Sequence, residues 1–281
     1  GAGALRPRRA RRDYQVPVTR ALVRLLTHER PAWPLAVCRI GLGTAATIRG
    51  LKTVRDLYLL QHDPAAVPAR LFEWAPRLDA TWEIACFGLL WMAASIGLVV
   101  GYRARLSAGV LLALSILQHL VDQNFWAHHM YFMMLMLLLI AVSDSEATLS
   151  VRWARESSPV RWIPGWPVWL LKVQLSLAYF YSAAAKLNEP FLSGQVLLDR
   201  LALPEFARSP AVIQTLAVGA VGVEFFLAFA LWNRRLRPLA LVAGLFLHGL
   251  IPVTMGLYAG LIVFSMMVFS IYVLFLDDRT R

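Results

Sequence analysis

Apolar runs closed by turn residues or charge set the pattern of the chain, at about 33–51, 81–102, 106–124, 129–143, 167–186, 211–232, 238–256 and 259–276. In hydrocarbon a helix is the only open-ended element that satisfies its own backbone, so each run reads as a helix. The pattern predicts an all-α, polytopic transmembrane helical bundle of about eight spans. Arg39 and Arg49 interrupt the first run, which leaves seven or nine crossings open. No internal repeat is visible. Residues 52–80, with Leu57, Tyr58, Leu59, Leu60, Leu71, Phe72 and Trp74, read as an amphipathic helix lying on the membrane. The other long connection, 188–210, carries Pro190, Gly194 and Pro204, and a loop of that length with apolar residues of its own more often caps a cavity than dangles.

Composition agrees. Of 281 residues 58% are hydrophobic and 16% charged, with mean hydropathy +0.57; a water-soluble domain carries about 25% charged residues. One membrane domain, 31–276, is expected between a basic cytoplasmic N-terminal segment, 1–30, and a short tail, 277–281. The net charge of +11 sits in short blocks between apolar runs, which fits lipid headgroups as partners and excludes nucleic acid. Eighteen basic residues fall in 1–30, 102–105, 144–166, 233–237 and the tail. On the opposite connections lie Lys52, Arg55, Arg70, Arg77, Lys186, Arg200 and Arg208, among the acids Asp56, Asp63, Glu73 and Asp79. Both termini are therefore expected in the cytoplasm. Cys38 and Cys86 have no disulfide or zinc spacing and read as small core residues. The opening Gly-Ala-Gly-Ala reads as a processed end rather than a signal peptide.

Ionisable groups at membrane depth each ask for a partner or a role, at about 2.5–3.5 kcal/mol on insertion scales. His119 and Asp122 share a helical face and read as a hydrogen-bonded pair. Lys172 reads as a snorkelling lysine, and Glu224 as the partner of an Arg or His across the bundle, with Arg39 a candidate. His248 is either a core histidine or a site residue. His128 and His129 are adjacent and so diverge by about 100° on a helix; without a further ligand motif they indicate no metal site. Tyr179, Ser182 and Lys186 fall at i, i+3 and i+7 on one face beside small residues that admit a neighbouring helix or a flat ligand. At the helix C-terminus the dipole favours the Lys186 ammonium, whereas an apolar pocket favours the neutral amine, and only the neutral form is a base. Taken alone, Lys186 also reads as a snorkelling lysine.

The segments Asn124-Phe125-Trp126-Ala127-His128-His129-Met130-Tyr131-Phe132 and Lys172 to Leu187, then His248 and Met255-Gly256, come in an order that resembles the vitamin K-dependent gamma-carboxylase-like, or HTTM, membrane domain over about residues 30–276. The Tyr-Phe and Ala-Lys-Leu element is its most specific part. The resemblance implies that Lys186 is the base toward vitamin K hydroquinone and that His129 supports an anionic oxygen species. His128 stands where the family has Asn. Asn124, His128, Tyr179, Ser182 and His248 would bind substrate. It implies the reduced naphthoquinone as cofactor, dioxygen and carbon dioxide as co-substrates, and a peptide or protein glutamate as the acceptor of a strong base's work. It also implies a bacterial inner-membrane protein with its site on the extracytoplasmic side, where the charge count independently puts Lys186. The apolar pattern ends at Leu276, without the extramembrane region with which eukaryotic carboxylases grip a propeptide, so the quinol step is implied more directly than the peptide step.

Two other readings stand beside it. Stand-alone HTTM proteins include non-catalytic factors for maturation or export of a secreted peptide toxin. A proton path through Glu224, His248 and His119/Asp122 would indicate transport, although no repeat or broken-helix pair accompanies it.

Overall fold

Pro34 in the first turn of α1 (Trp33–His62) fixes the helical φ where its missing N–H has no intrahelical use. The computed structural model describes residues 23, 27–63, 67, 69–70, 72–155, 161–198, 200, 209–256 and 258–276. Most of the basic segment 1–30, the tail 277–281, and parts of the two long connections, Leu71 and Pro204 among them, lie outside the described residues. Before α1 runs a short strand, β1 (Glu29–Pro31), paired antiparallel with β2 (Trp162–Pro164) so that Arg30 faces Ile163. This ribbon, absent from the apolar pattern because three residues carry no period, brings together the starts of α1 and α6 (Trp166–Ala185).

The remaining helices are α2 (Thr81–Val100), α3 (Ala104–Val121), α4 (His128–Ala141), α5 (Val151–Arg155), α7 (Glu189–Leu192), α8 (Gln195–Leu198), α9 (Pro210–Ala230), α10 (Arg237–Thr254) and α11 (Ala259–Leu276), with a 3₁₀ turn at Gln123–Phe125. Of these, α2, α3, α9, α10 and α11 are long and apolar enough to cross a membrane. Helices α1 and α6 have the length, and α4, with 14 residues, is shorter than the roughly 20 that a bilayer core asks for. The chain is an all-α integral membrane protein.

One predicted element differs. The surface helix expected over 52–80 does not form. Its first part continues α1 to His62, and the described residues from Asp63 to Ala80 hold no helix. Nothing after Leu51 breaks the helix: Lys52 pairs with Asp56 one turn on, and His62 Nδ1 lies 2.8 Å from Tyr58 O. The stop comes at Asp63, which precedes Pro64 and is disfavoured from helical geometry by it.

Helices α1 and α2 run antiparallel in close contact: Gly43 lies against Val99 and Ser95, Trp91 Nε1 donates to Ala46 O at 2.8 Å, and Gly88 lies against Val54. A Cβ on Gly50 would collide with Trp91, so a small residue is required there. On its other side α1 packs on α11, burying Leu35, Cys38 and Leu42 with Met267, Ile271 and Leu274. Cys86, expected in the core, is exposed on α2. Arg39 is wholly buried. It donates to Ser145 O at 2.9 Å and Leu149 O at 2.5 Å, which ties the connection before α5 onto α1, and Gly101, in the left-handed region at φ 68°, leaves room for its guanidinium. It is not the partner of Glu224.

Candidate functional site

Helices α6 and α9 lie antiparallel, and the pairing is pinned at one end by Trp232 Nε1 donating to Ser176 Oγ at 2.7 Å and by the stacked rings of Trp169 and Trp232, 5.0 Å apart. Ten residues on from Ser176, at the C-terminal end of α6, Lys186 meets Glu224 of α9 in an ion pair. Lys186 Nζ also donates to Ser182 Oγ at 2.9 Å, and Ser182 Oγ donates to Glu224 Oε1 at 3.1 Å. The three groups close a triangle in which one carboxylate oxygen takes both donors. Lys186 is half-buried, its ammonium 5.6 Å from the centre of the Phe191 ring, and Glu224 is buried. Glu224 Oε2 is buried and has no partner among the described residues.

The face predicted from i, i+3 and i+7 spacing is therefore real for Ser182 and Lys186, and Tyr179 continues it one turn deeper. Tyr179 Oη shares a hydrogen bond of 2.7 Å with His248 Nε2 of α10 and a short one with Tyr272 Oη of α11. Ser265 Oγ donates to the backbone carbonyl of His248 at 2.9 Å, and Phe264 and Phe269 present their rings edgewise to the imidazole. His248 Nδ1 is buried without a partner among the described residues. Gly244, one turn before His248, lies against Tyr272, where any Cβ would collide with the phenol.

Sequence reasoning missed Tyr272, because a tyrosine in a final apolar span reads as membrane-interface packing. Its one signal was Gly244, a missing side chain at i−4 from His248. It also missed the partner of Glu224, since pairing between helices leaves no trace in spacing along either of them.

The histidine element lies elsewhere. His129 is half-buried at the start of α4, its ring against the backbone of Gly260, where a Cβ would come 2.8 Å from Cε1, and its Nε2 is buried without a partner among the described residues. Arg49 and Lys52 of α1 act on it electrostatically. His128 is exposed, with its ring edge-on to Trp126 at 4.8 Å. Asn124 is exposed and donates its backbone N–H to Asp122 Oδ1 at 2.9 Å. Among the described residues no hydrogen bond joins Asn124, His128 or His129 to the Lys186 group.

Two other expectations are corrected. Asp122 does not pair with His119: its Oδ1 accepts from Asn124 N and from Ala69 N at 3.1 Å, and His119 Nδ1 lies 2.6 Å from Ser115 O. Asp122 has left the helix that would have kept the two side chains on one face. Lys172 does not snorkel; it is buried, with its ammonium 4.9 Å from the centre of the Phe275 ring. Among the described residues no group of three or more His, Cys, Asp or Glu is placed to hold a metal ion. The family model for the HTTM domain matches residues 28–277. No curated protein and no solved structure matches the chain.

Proposed function

The chain belongs to the HTTM domain family, and from that premise we propose that it is a vitamin K-dependent gamma-carboxylase-like enzyme that deprotonates a reduced naphthoquinone at the Lys186–Glu224 pair. The observation that carries it is the pair itself: a half-buried lysine bound to a buried carboxylate with a serine bridging them. A lone lysine in a dry site would have to shed its proton into bulk water. Here the proton has a nearer destination, because transfer from Lys186 Nζ to Glu224 Oε1 converts an ion pair into two neutral groups. A low-dielectric surrounding favours that conversion. Lys186 then presents a neutral amine, and Glu224 retains the proton until the amine has taken another.

The residues present fit such a ligand. Glu224 Oε2 and His248 Nδ1 are buried polar atoms with no partner among the described residues, and a dihydroxy ring offers both donors and acceptors for them. Lys186, Ser182 and Glu224 would hold one hydroxyl, and Tyr179 keeps the His248 imidazole oriented from below. When bound, the reduced quinone supplies electrons to dioxygen and thereby a base stronger than any side chain. Carbon dioxide addition to a peptide glutamate would follow in the same dry surroundings. His129, within electrostatic reach of Arg49 and Lys52, suits an anionic oxygen. The reading places eight helices across a bacterial inner membrane, both termini in the cytoplasm, and Lys186 toward the extracytoplasmic side.

The test is epoxide formation from vitamin K hydroquinone and oxygen by the purified full chain. Lys186→Ala is expected to abolish it, and Glu224→Gln to slow it by about 10²–10⁴, the usual weight of a positioned proton acceptor, with both variants folded in thermal melts. Unchanged turnover in Lys186→Ala overturns the proposal. So does a wild-type chain with no turnover that co-purifies with a secreted peptide, the outcome expected of a non-catalytic maturation factor.

A further inference from the structure

Arg49 lies on α1 at 5% exposure, yet among the described residues its Nε has no hydrogen-bond partner. Asp56 acts on it only at longer range and is itself engaged by Lys52. Two further buried nitrogens nearby share this condition. Thr53, one turn after Arg49 on the same face of α1, donates to Gln118 Oε1 of α3 at 3.5 Å. The other end of that amide, Gln118 Nε2, is buried without a partner among the described residues. His129 of α4, which feels both Arg49 and Lys52, is the third, through Nε2. Three packed helices thus carry buried nitrogen groups that have no partner among the described residues.

A buried donor without an acceptor is costly, and more so when it is charged. A buried arginine whose Nε has no acceptor among the described residues has room for a partner from outside. We propose that Arg49, Gln118 and His129 form a binding site for a planar monoanion of the carboxylate type, either an organic carboxylate or bicarbonate. The shape follows from the fork. Two parallel N–H groups of a guanidinium match two coplanar oxygens, which leaves the remaining lone pairs for Gln118 Nε2 and His129 Nε2. The charge follows from the count. Lys52 and Asp56 neutralise each other, so Arg49 leaves one positive charge with His129 neutral, enough for a monoanion and too little for a phosphate dianion. Lys52 at the rim is partly exposed and Tyr258, which also acts on Arg49, is largely exposed, so the corner is not sealed behind apolar side chains. The site stands whether or not Lys186 acts on a quinol, because binding is measured without quinone or oxygen.

The full chain in detergent micelles, at constant ionic strength, is titrated with [1-¹³C]acetate, ¹³C-bicarbonate and methyl phosphate, and binding is read from line broadening of the carbon or phosphorus signal. Saturable binding of acetate or bicarbonate is expected. Arg49→Gln should raise its dissociation constant at least about tenfold. Arg49→Lys should do nearly the same, since it keeps the charge and loses the fork. Gln118→Leu, close to the native volume, should raise it by about three- to tenfold and carries the test if Arg49→Gln does not fold. The ligand-free Arg49→Gln protein should melt no lower than the native chain, which a merely structural arginine would not allow. No saturable binding of either planar anion, binding that is undiminished in Arg49→Gln or Gln118→Leu, or tighter binding of methyl phosphate each overturns the proposal.

Discussion

Two arginines lie buried on the same helix, ten residues and about 15 Å apart along its axis. Arg39, at 0% exposure, spends its guanidinium on the carbonyls of Ser145 and Leu149, with Glu146 near enough to act on it electrostatically. Arg49, at 5%, adjoins Gly50, which packs on Trp91, and its guanidinium makes no hydrogen bond among the described residues, whereas Arg39 leaves only its Nε without a partner there. Burial is the same and the chemistry differs. A cation whose terminal nitrogens are taken by carbonyls of the chain is a fastening; one with none of them taken is a place for something else. The Lys186 group stands between the two, since one Glu224 oxygen is satisfied within the chain and the other is not.

The comparison breaks most readily at Arg39. Arg39→Met leaves two carbonyls without their donor, and at about 1–3 kcal/mol for each buried group, less where Leu149 meets solvent, the loss is expected at about 2–4 kcal/mol. Arg49→Met removes a charge that no described residue pairs and should leave stability unchanged or raise it by up to about 1 kcal/mol. Chemical denaturation of the two variants in the same detergent decides it. Equal losses would mean that the accounting of partners does not separate the two arginines.

That separation was not legible in the sequence, where both residues were simply interruptions of an apolar run. Helix positions were legible, because an apolar run bounded by charge has few alternatives in hydrocarbon, and the predicted spans over 81–102 and 259–276 lie close to α2 and α11. The end of α1 was misplaced because Lys52, Asp56 and His62 look like a surface helix in composition while continuing a buried one in geometry. On α6 the spacing of Tyr179, Ser182 and Lys186 was enough to gather them on one face, since a single helix carries its own ruler. The partners Glu224 and Tyr272 come from other helices, whose rotation about their axes is set by packing that no local pattern encodes. Membership of the HTTM family, inferred from residue order, is shown by the match over residues 28–277.

Tyr272 gives a smaller effect and sharpens the middle case. Its hydroxyl bonds Tyr179, which in turn bonds His248, so Tyr272→Phe removes one buried hydrogen bond and leaves the other in place. The expected loss is about 1 kcal/mol, with the His248 ring less firmly oriented. Near-ultraviolet circular dichroism and denaturation together check this. A loss above about 3 kcal/mol would mean that the chain of three side chains behaves as one fastening, like Arg39, rather than as a support for a site with a free nitrogen.

The smallest effect is expected at Lys52, and it bears on the charge count. Its pair with Asp56 spans one helical turn, with the two side chains 28% and 22% exposed. Partly solvated pairs of that spacing contribute about 0.3–0.5 kcal/mol, so Lys52→Gln should leave the denaturation midpoint almost unmoved. The same substitution frees the Asp56 carboxylate to act on Arg49 without a competing cation, and the corner loses its net positive charge. Acetate binding should therefore weaken several-fold while stability stays within about 0.5 kcal/mol of the native chain. A salt series gives the physical signature: the remaining affinity should depend less on ionic strength than the native protein's, because the rim charge that draws the anion from solution is gone. If instead affinity and salt dependence are unchanged, Asp56 is too far from the guanidinium to count. Arg49 would then differ from Arg39 by its lack of acceptors alone, with no contribution from the charges around it.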